Sequence, residues 1–234
     1  MDVTPDYKKQ AAAEAYKLIT KDLIIGLGAG TSISHLVDMI AADKALADSL
    51  TFTSSSFTTN GKLQANNLHV VPPAYLEKID IYFDGCDQFD NDLNALKCGG
   101  GIHTTEKILA AMATQFVLIG DSEKMVDRLD TKYPLVIEVL PPALKAVMKK
   151  LTELFPGTSL SLRTSSNKDG ATISEYGNYL IDVKFSTLPD LAELNTAVKM
   201  TPGVVDHSLF FGMATTAIVA GPNGIAIIKP GNPS

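Results

Sequence analysis

The segment 84–106 concentrates side chains that can do acid–base chemistry between two apolar runs. Its candidate catalytic residues are Asp84, Asp87, Lys97 and Glu106. Two carboxylates three residues apart can share one pocket and separate their pKa values, which suits proton transfer. A lysine can stabilise developing negative charge, and a carboxylate in the first turn of a helix is either a catalytic base or a helix cap. The pattern therefore predicts an acid–base site that has no obvious nucleophile.

Flexible backbone accompanies these ionisable groups. The small residues that we expect to contact a substrate here are Gly85, Cys86, Cys98, Gly99 and Gly100. Consecutive glycines are costly to order and are tolerated where backbone lies directly against a ligand. Magnesium is a less favoured alternative for the two aspartates, and zinc is disfavoured because the cysteines and His103 lack a fourth ligand at suitable spacing. We expect no metal and no cofactor.

A second glycine-rich segment follows the apolar run at residues 23–27. The substrate contacts expected from it are Gly28, Ala29, Gly30, Thr31 and Ser32. Such a loop directs backbone N–H groups and hydroxyls at the start of a helix, where phosphate binds well. The nucleotide P-loop and the dinucleotide fingerprint both fail to match, which favours a phosphomonoester over a nucleotide. A strand-to-helix turn that binds no ligand is the alternative for this loop. Lys124 either reaches the edge of the same predicted site or is an exposed loop lysine.

Alternating strands and helices must position these segments. Strands are predicted at 23–27, near 52, and at 69–71, 79–83 and 116–119. Helices are predicted at 33–42, 58–64 and 104–113, after a first helix capped by Thr4 with Pro5 at its first position. This alternation indicates an α/β fold with a mostly parallel, Rossmann-like sheet flanked by helices. The carboxyl ends of its strands would bring both segments to one edge, where Ser54, Ser55 and Ser56 could add hydroxyls.

After residue 130 the rhythm changes to β-α-β-β-α-β, which is typical of a ferredoxin-like α+β unit. Strands are predicted at 135–139, 160–163, 179–183 and 204–205, and helices at 142–154 and 189–199. Strands at 217–220 and 224–228 could return to the first sheet. We therefore predict two domains: a catalytic α/β domain of residues 1–130 plus 209–234, and a smaller ferredoxin-like domain of residues 131–208.

Composition limits the partners. The 234 residues carry a formal net charge of -6 and contain no basic block, so we expect no nucleic-acid partner. Local lysines and helix starts can still bind an anionic metabolite. The N-terminus lacks an apolar signal region, and no segment reaches the ~18 apolar residues that cross a bilayer. With only two cysteines, we expect a cytoplasmic protein without membrane contact. Apolar strands in the smaller unit favour a homodimer or homotetramer.

In these motifs and their order, the chain resembles the A-type ribose-5-phosphate isomerases over nearly its full length. The matching motifs are the loop from Gly26 to Ser32, Asp84-Gly-Cys-Asp87, Lys97-Cys-Gly-Gly, Thr104-Thr-Glu106-Lys107, Asp121-Ser-Glu-Lys124, and Pro202-Gly203-Val204-Val205 with Leu209-Phe210. The resemblance implies cofactor-free interconversion of D-ribose 5-phosphate and D-ribulose 5-phosphate through an enediolate, in the non-oxidative pentose phosphate pathway.

The resemblance also implies residue roles. Glu106 would be the general base, and Asp84, Asp87 and Lys97 would contact the reacting end of the sugar. The phosphate and sugar would be held by Thr31 and Ser32, with Lys124 as a further substrate contact.

Several residues depart from the family pattern, and one departure is the order Thr31-Ser32 after Gly30, where the family has Ser-Thr. Ala29 replaces a threonine, Gln88 replaces a glutamate and Cys98 replaces a glycine. Ala29 loses a hydroxyl and Cys98 adds a side chain that we expect beside the sugar, so substrate preference or rate could differ. Two alternative functions stay open: an amino-sugar phosphate deaminase or lactonase on a related fold, and a non-catalytic sugar-phosphate-sensing domain. The second is disfavoured because the chain starts directly with the first domain helix.

Overall fold

The computed structural model describes residues 5–166 and 168–231. Within them the helices are α1 (Tyr7–Tyr16), α2 (Thr31–Ala42), α3 (Lys44–Ala47), α4 (Phe57–Ala65), α5 (His103–Met112), α6 (Leu144–Leu154) and α7 (Leu191–Lys199). The strands are β1 (Ile24–Leu27), β2 (Thr51–Ser54), β3 (Ile79–Asp84), β4 (Gln88–Phe89), β5 (Ala95–Leu96), β6 (Ala113–Asp121), β7 (Leu135–Val139), β8 (Ser159–Leu162), β9 (Thr164–Ser165), β10 (Lys168–Ala171), β11 (Tyr179–Lys184), β12 (Val204–His207), β13 (Leu209–Phe210), β14 (Thr216–Gly221) and β15 (Gly224–Ile228).

The largest sheet has six strands in the order β15-β14-β6-β3-β1-β2. All neighbours pair in parallel except β15, which runs antiparallel to β14. This confirms the predicted parallel-dominated α/β fold. Strands β1 and β3 are adjacent and end in register, with Leu27 opposite Phe83. The loops that follow these two strands therefore leave the sheet side by side.

Both faces of this sheet are covered. Because side chains alternate along a strand, Ile81 and Phe83 of β3 face a core shared with α1 and α2, whereas Tyr82 faces a second core shared with α5. Phe116 and Phe210 pack in that second core, with ring centroids 6.0 Å apart. Burying each such large apolar side chain stabilises the fold by about 1.5–3 kcal/mol. The sheet is consequently a firm support for the loops at its carboxyl edge.

A separate four-stranded antiparallel sheet has the order β12-β7-β11-β8. Its chain order, β7-α6-β8-β11-α7-β12, is the predicted β-α-β-β-α-β arrangement, and β9 and β10 form a small hairpin between β8 and β11. The core of this sheet also contains Leu96 and Leu209, which lie outside residues 131–208. The proposed division into two domains stays a prediction.

Two local predictions differ from the structure. Residues 69–71 form no strand, because only Val70 bridges to Phe52. The first helix begins at Tyr7 and is capped by Asp6, which accepts a 3.0 Å hydrogen bond from the Lys9 amide, while Thr4 lies outside the described residues. In the part of the chain that is described, no helix is long and apolar enough to cross a membrane.

Candidate active site

A cavity of about 240 Å³ opens where the carboxyl ends of β1 and β3 meet. Its lining consists of Ala29, Gly30, Asp84, Gly85, Cys86, Asp87, Lys97, Gly99, Gly100, Glu106 and Lys124. The structure thus brings the four candidate catalytic residues together with the glycine loop that follows β1. It also places Lys124 in this lining, where the residue is half-buried and is therefore not the exposed loop lysine of the alternative.

Short strand pairings set the relative positions of these residues. Asp84 is the last residue of β3, and Glu106 lies in the first turn of α5. The hairpin of β4 and β5 places Asp87 beside Lys97, since the Asp87 amide donates to the Leu96 carbonyl at 2.9 Å. The Lys97 amide donates to the Ser208 carbonyl at 3.0 Å, next to β13. Backbone hydrogen bonds therefore set the positions of Asp87 and Lys97.

Lys97 is the electrostatic centre of the site. Its Nζ lies 2.8 Å from Asp84 Oδ2 and 3.3 Å from Glu106 Oε1, and it donates to the Gly85 carbonyl. All three ionisable side chains are buried. Burial alone disfavours the charged lysine, but the carboxylates of Asp84 and Glu106 outweigh it and raise the Lys97 pKa. Lys97 therefore carries a positive charge inside the cavity wall.

Glu106 has the protonation behaviour of a general base. Burial raises its pKa from the usual 4.5 to about 8, with Lys97 opposing the rise and the Asp84 charge adding to it. A base is most effective when its pKa lies near the working pH, because it is then both ionised often enough and basic enough. The pKa of Glu106 therefore lies in the range that suits a general base.

Asp84 is held by donors on both carboxylate oxygens. Its Oδ1 accepts from the Ala29 amide at 3.1 Å and from the Gly85 amide at 2.7 Å, while Oδ2 accepts from the Tyr82 hydroxyl and pairs with Lys97. These contacts tie the loop after β1 to the end of β3 and keep the carboxylate stationary. Only glycine fits at Gly28, because a Cβ there would lie 1.9 Å from Asp84 Oδ1.

Tyr82 is a site residue that sequence reasoning treated only as part of a buried strand. Its ring lies in the core, but its hydroxyl donates to Asp84. Residues two apart on a strand point to the same face, so the position of Tyr82 two residues before Asp84 indicates that the two side chains can meet.

Asp87 is less constrained than Asp84. One of its oxygens, Oδ2, accepts a 2.6 Å hydrogen bond from the Cys98 amide. The Lys124 ammonium donates to the Cys86 carbonyl on the neighbouring peptide. Asp87 and Lys124 thus lie in the cavity lining with capacity for contacts to a bound molecule.

An adjoining cavity of about 360 Å³ shares Ala29 and Gly30 with the first. Its other lining residues are Thr31, Ser34, Val37, Ser56, Thr58, Thr59 and Lys62. Helix α2 begins here after Gly30, whose φ is 100°, and no side chain caps its first turn. Uncapped amides at a helix start favour an anion. Thr31 and Ser56 therefore lie at the expected rim, whereas Ser32 is buried and outside both linings.

The Cys98 side chain lies in the protein core, away from the position that we expected beside the sugar. It packs in the core of the four-stranded sheet, with Sγ 3.9 Å from Ser208 Oγ, and burial raises its pKa to about 12. Only its backbone reaches the site. Gln88 also points elsewhere, because its side chain exchanges hydrogen bonds of 2.8 and 3.0 Å with Asp130. Among the described residues, no group of three or more His, Cys, Asp or Glu side chains is arranged to hold a metal ion.

Comparison with known proteins agrees with this architecture. The family model described as ribose 5-phosphate isomerase A (phosphoriboisomerase A) matches residues 51–224. The curated ribose-5-phosphate isomerase A of Rhodopseudomonas palustris strain TIE-1 is 32% identical over 227 residues, which cover 96% of this chain and 97% of that protein. The solved structure of ribose 5-phosphate isomerase A from Methanocaldococcus jannaschii superposes with a TM-score of 0.87 at 30% identity, covering 95% of this chain and 97% of that chain.

A second solved structure, of a D-ribose-5-phosphate isomerase in complex with phospho-erythronic acid, has a TM-score of 0.88 at 31% identity with the same coverage. These two structural matches and the curated relative extend over nearly the whole chain. The chain belongs to the ribose 5-phosphate isomerase A family.

Proposed function

We propose that this chain interconverts D-ribose 5-phosphate and D-ribulose 5-phosphate through an enediolate. The observation that carries this proposal is the buried contact of Glu106 with Lys97, in a cavity shared with the loop that starts α2. In this cavity a candidate base, a cation and the loop proposed to bind phosphate lie close enough together to contact one pentose phosphate. The reaction moves one hydrogen from C2 to C1 and one proton from the C2 oxygen to the C1 oxygen with no net oxidation, so it requires no redox cofactor.

Glu106 moves the proton. Its carboxylate takes the hydrogen from C2 of the open-chain aldose and returns it to C1 to give the ketose. The pKa of about 8 makes it a stronger base than an exposed glutamate while leaving part of the enzyme ionised near neutral pH. Burial supplies this basicity, because an ionised carboxylate is poorly solvated in the cavity wall.

Lys97 stabilises the enediolate oxygen on which negative charge develops. It is fixed before substrate arrives by Asp84 and the Gly85 carbonyl, so little reorganisation is needed during the reaction. We assign the same role to backbone amides of Gly99 and Gly100, which line the cavity beside it. Each donor of this kind is worth about 3 kcal/mol of transition-state stabilisation.

We assign different roles to Asp84 and Asp87. Asp84 has donors on both oxygens, which suits an anchor for Lys97 and for the loop at Ala29. Asp87 has one oxygen engaged by the Cys98 amide, which suits a contact with substrate hydroxyls during ring opening and proton transfer between the two oxygens. The phosphate group is assigned to the first turn of α2 with Thr31, and Lys124 to a further substrate contact.

The test compares wild-type protein with Glu106→Gln and with Glu123→Gln, an exposed glutamate, as the control. Each is incubated with ribose 5-phosphate and the ketose product is quantified. We expect turnover by the wild type and the control, and a loss of at least 100-fold in Glu106→Gln. Near-full activity of Glu106→Gln would contradict the assignment. Release of ammonia from an amino-sugar phosphate, or opening of a sugar-phosphate lactone, without ketose formation would favour the alternative enzymes instead.

A further inference from the structure

We propose that Arg163 is a positioning residue that holds the glycine run in the orientation needed to stabilise the enediolate, an assignment that rests on the isomerase function proposed above. Arg163 follows β8 in the four-stranded sheet and lies far in sequence from the cavity. Its Nη2 donates to the Cys98 carbonyl at 2.9 Å and its Nη1 to the Gly99 carbonyl at 3.3 Å. One guanidinium group therefore holds two successive peptide units.

The guanidinium group is itself fixed. Asp182 on β11 accepts from Nε at 3.0 Å and from Nη2 at 2.5 Å. The backbone of Arg163 is also held, because its amide donates to the Leu180 carbonyl and its carbonyl accepts from the Thr172 amide, each at 2.8 Å. The side chains of Arg163 and Asp182 are 16% and 21% exposed, so solvent competes little for these contacts. A planar fork held at one edge presents its remaining N–H groups in fixed directions.

Peptide geometry converts this contact into an orientation of the amides. No peptide bond in the described residues is cis, and in a trans peptide the N–H points opposite to the preceding C=O. When Arg163 draws in the carbonyls of Cys98 and Gly99, the amides of Gly99 and Gly100 must point away from it. Gly99 and Gly100 line the cavity and Arg163 does not. The amides therefore face the side on which the substrate binds.

Gly99 has no side chain through which its neighbours could hold it. A Cβ built on Gly99 would meet no atom within 4 Å, so packing does not hold this residue. Its N-terminal neighbour is fixed from the other side, because the Cys98 amide donates to Asp87 at 2.6 Å. Glycine without such restraint samples many conformations. Loss of Arg163 should consequently disorder the two amides while Lys97 and Glu106 keep their own contacts.

The expected kinetic signature is a lower kcat with little change in KM. Donors aimed at a charge that exists only in the transition state affect turnover more than ground-state binding. Arg163→Met should lower kcat about 10- to 100-fold, somewhat less than outright removal of the donors. Arg163→Lys keeps the charge but not the fork, so it should recover only part of the loss.

The experiment measures kcat, KM for ribose 5-phosphate, thermal unfolding, and the Kd of phospho-erythronic acid. The variants are Arg163→Met and Arg163→Lys, with Arg128→Met as the control because Arg128 is the only other arginine and is exposed. We expect a reduced kcat at nearly constant KM, weaker binding of phospho-erythronic acid, whose carboxylate carries negative charge, and a normal control. If Arg163→Met does not fold, the kcat and Kd of Arg163→Lys decide the question.

Wild-type kcat and Kd in the folded Arg163 variants would overturn this inference, as would a lower unfolding temperature with unchanged turnover per folded molecule. The proposed function would survive either result, since the wild type would still form ketose. Absence of ketose formation by the wild type itself would instead refute the proposed function, and this inference with it.

Discussion

Replacing Lys97 with methionine should impair the site in two separable ways. Lys97 Nζ lies 3.3 Å from Glu106 Oε1 and 2.8 Å from Asp84 Oδ2. Methionine fills similar space without charge. Without the ammonium group, the Asp84 charge acts on Glu106 unopposed and raises its pKa further. The substitution also removes the charged donor assigned to the enediolate oxygen.

The size of both effects follows from the geometry. At 3.3 Å and an effective dielectric constant of about 20, two unit charges attract by about 5 kcal/mol, or almost four pKa units as an upper bound. Structural relaxation and solvent screening absorb some of this, so we expect the substitution to raise the Glu106 pKa by about two further units. At about pH 7.5 the ionised fraction of Glu106 then falls about 80-fold, and the missing donor costs a further ~100-fold.

The assay is kcat/KM for ketose formation from ribose 5-phosphate, measured from about pH 6 to about pH 10. Wild-type activity should rise through pH 8 as Glu106 loses its proton. Lys97→Met should be ~10⁴-fold less active at about pH 7.5 but only about 200-fold less active at about pH 10.

Two controls separate chemistry from folding. Lys149→Met, in which an 81% exposed lysine is replaced, should behave as wild type. Because removing one partner of a buried ion pair costs about 3–5 kcal/mol, activity is normalised to the folded fraction. A variant whose pH midpoint equals that of the wild type would refute the electrostatic coupling of Lys97 to Glu106. Activity within tenfold of wild type at every pH would refute the catalytic role of Lys97.

Substitutions at three other positions separate the site from its scaffold. Gly28→Ala places a methyl group 1.9 Å from Asp84 Oδ1, so kcat/KM should fall at least about 100-fold, and normal kinetics would show that Asp84 does not need this loop. Cys98→Ala should cost about 1 kcal/mol in urea unfolding while leaving KM within about twofold, whereas a tenfold change in KM would place the thiol at the substrate. For Asp206, burial raises the pKa but two lysines within 2.8 Å outweigh it and lower the pKa to about 2. The stabilisation by ionised Asp206 is therefore present above about pH 4 and lost toward about pH 2. The difference in free energy of unfolding between wild type and Asp206→Asn should shrink over that pH range. A difference that stays constant would contradict the ion pairs.

The sequence predicted the parallel sheet because most of its strands are apolar runs separated by helical segments. It did not predict the sheet of β4, β5 and β13, whose strands have two residues each and show no periodicity. That small sheet nevertheless sets the positions of Asp87 and Lys97. The apolar run at residues 69–71 shows the opposite case, since it has strand composition but makes only one bridge to β2.

The candidate site was predictable where residues lie at strand ends or directly after them, as Asp84 and Gly28 do. Side-chain direction was not predictable within the short segment after β5. Successive residues of an extended chain point to opposite sides, so Lys97 enters the cavity while Cys98 packs in the core. Adjacency in sequence therefore suggested a substrate contact that the thiol does not make.

Arg163 could not be assigned from sequence because its partners are 64 and 65 residues away. An isolated arginine at the end of a strand can have many roles. Only the fold shows that Arg163 donates hydrogen bonds to the Cys98 and Gly99 carbonyls. The oligomeric state, the cytoplasmic location and the two-domain division stay predictions.

The central claim is that Glu106 removes a carbon-bound proton from a pentose phosphate held in this cavity. The most direct test is proton NMR of ribose 5-phosphate mixed with wild-type protein or Glu106→Gln in deuterated water. The account predicts ribulose 5-phosphate carrying deuterium at C1 with the wild type, and neither conversion nor deuterium uptake with the variant. Conversion and deuterium uptake at the wild-type rate by Glu106→Gln would contradict it.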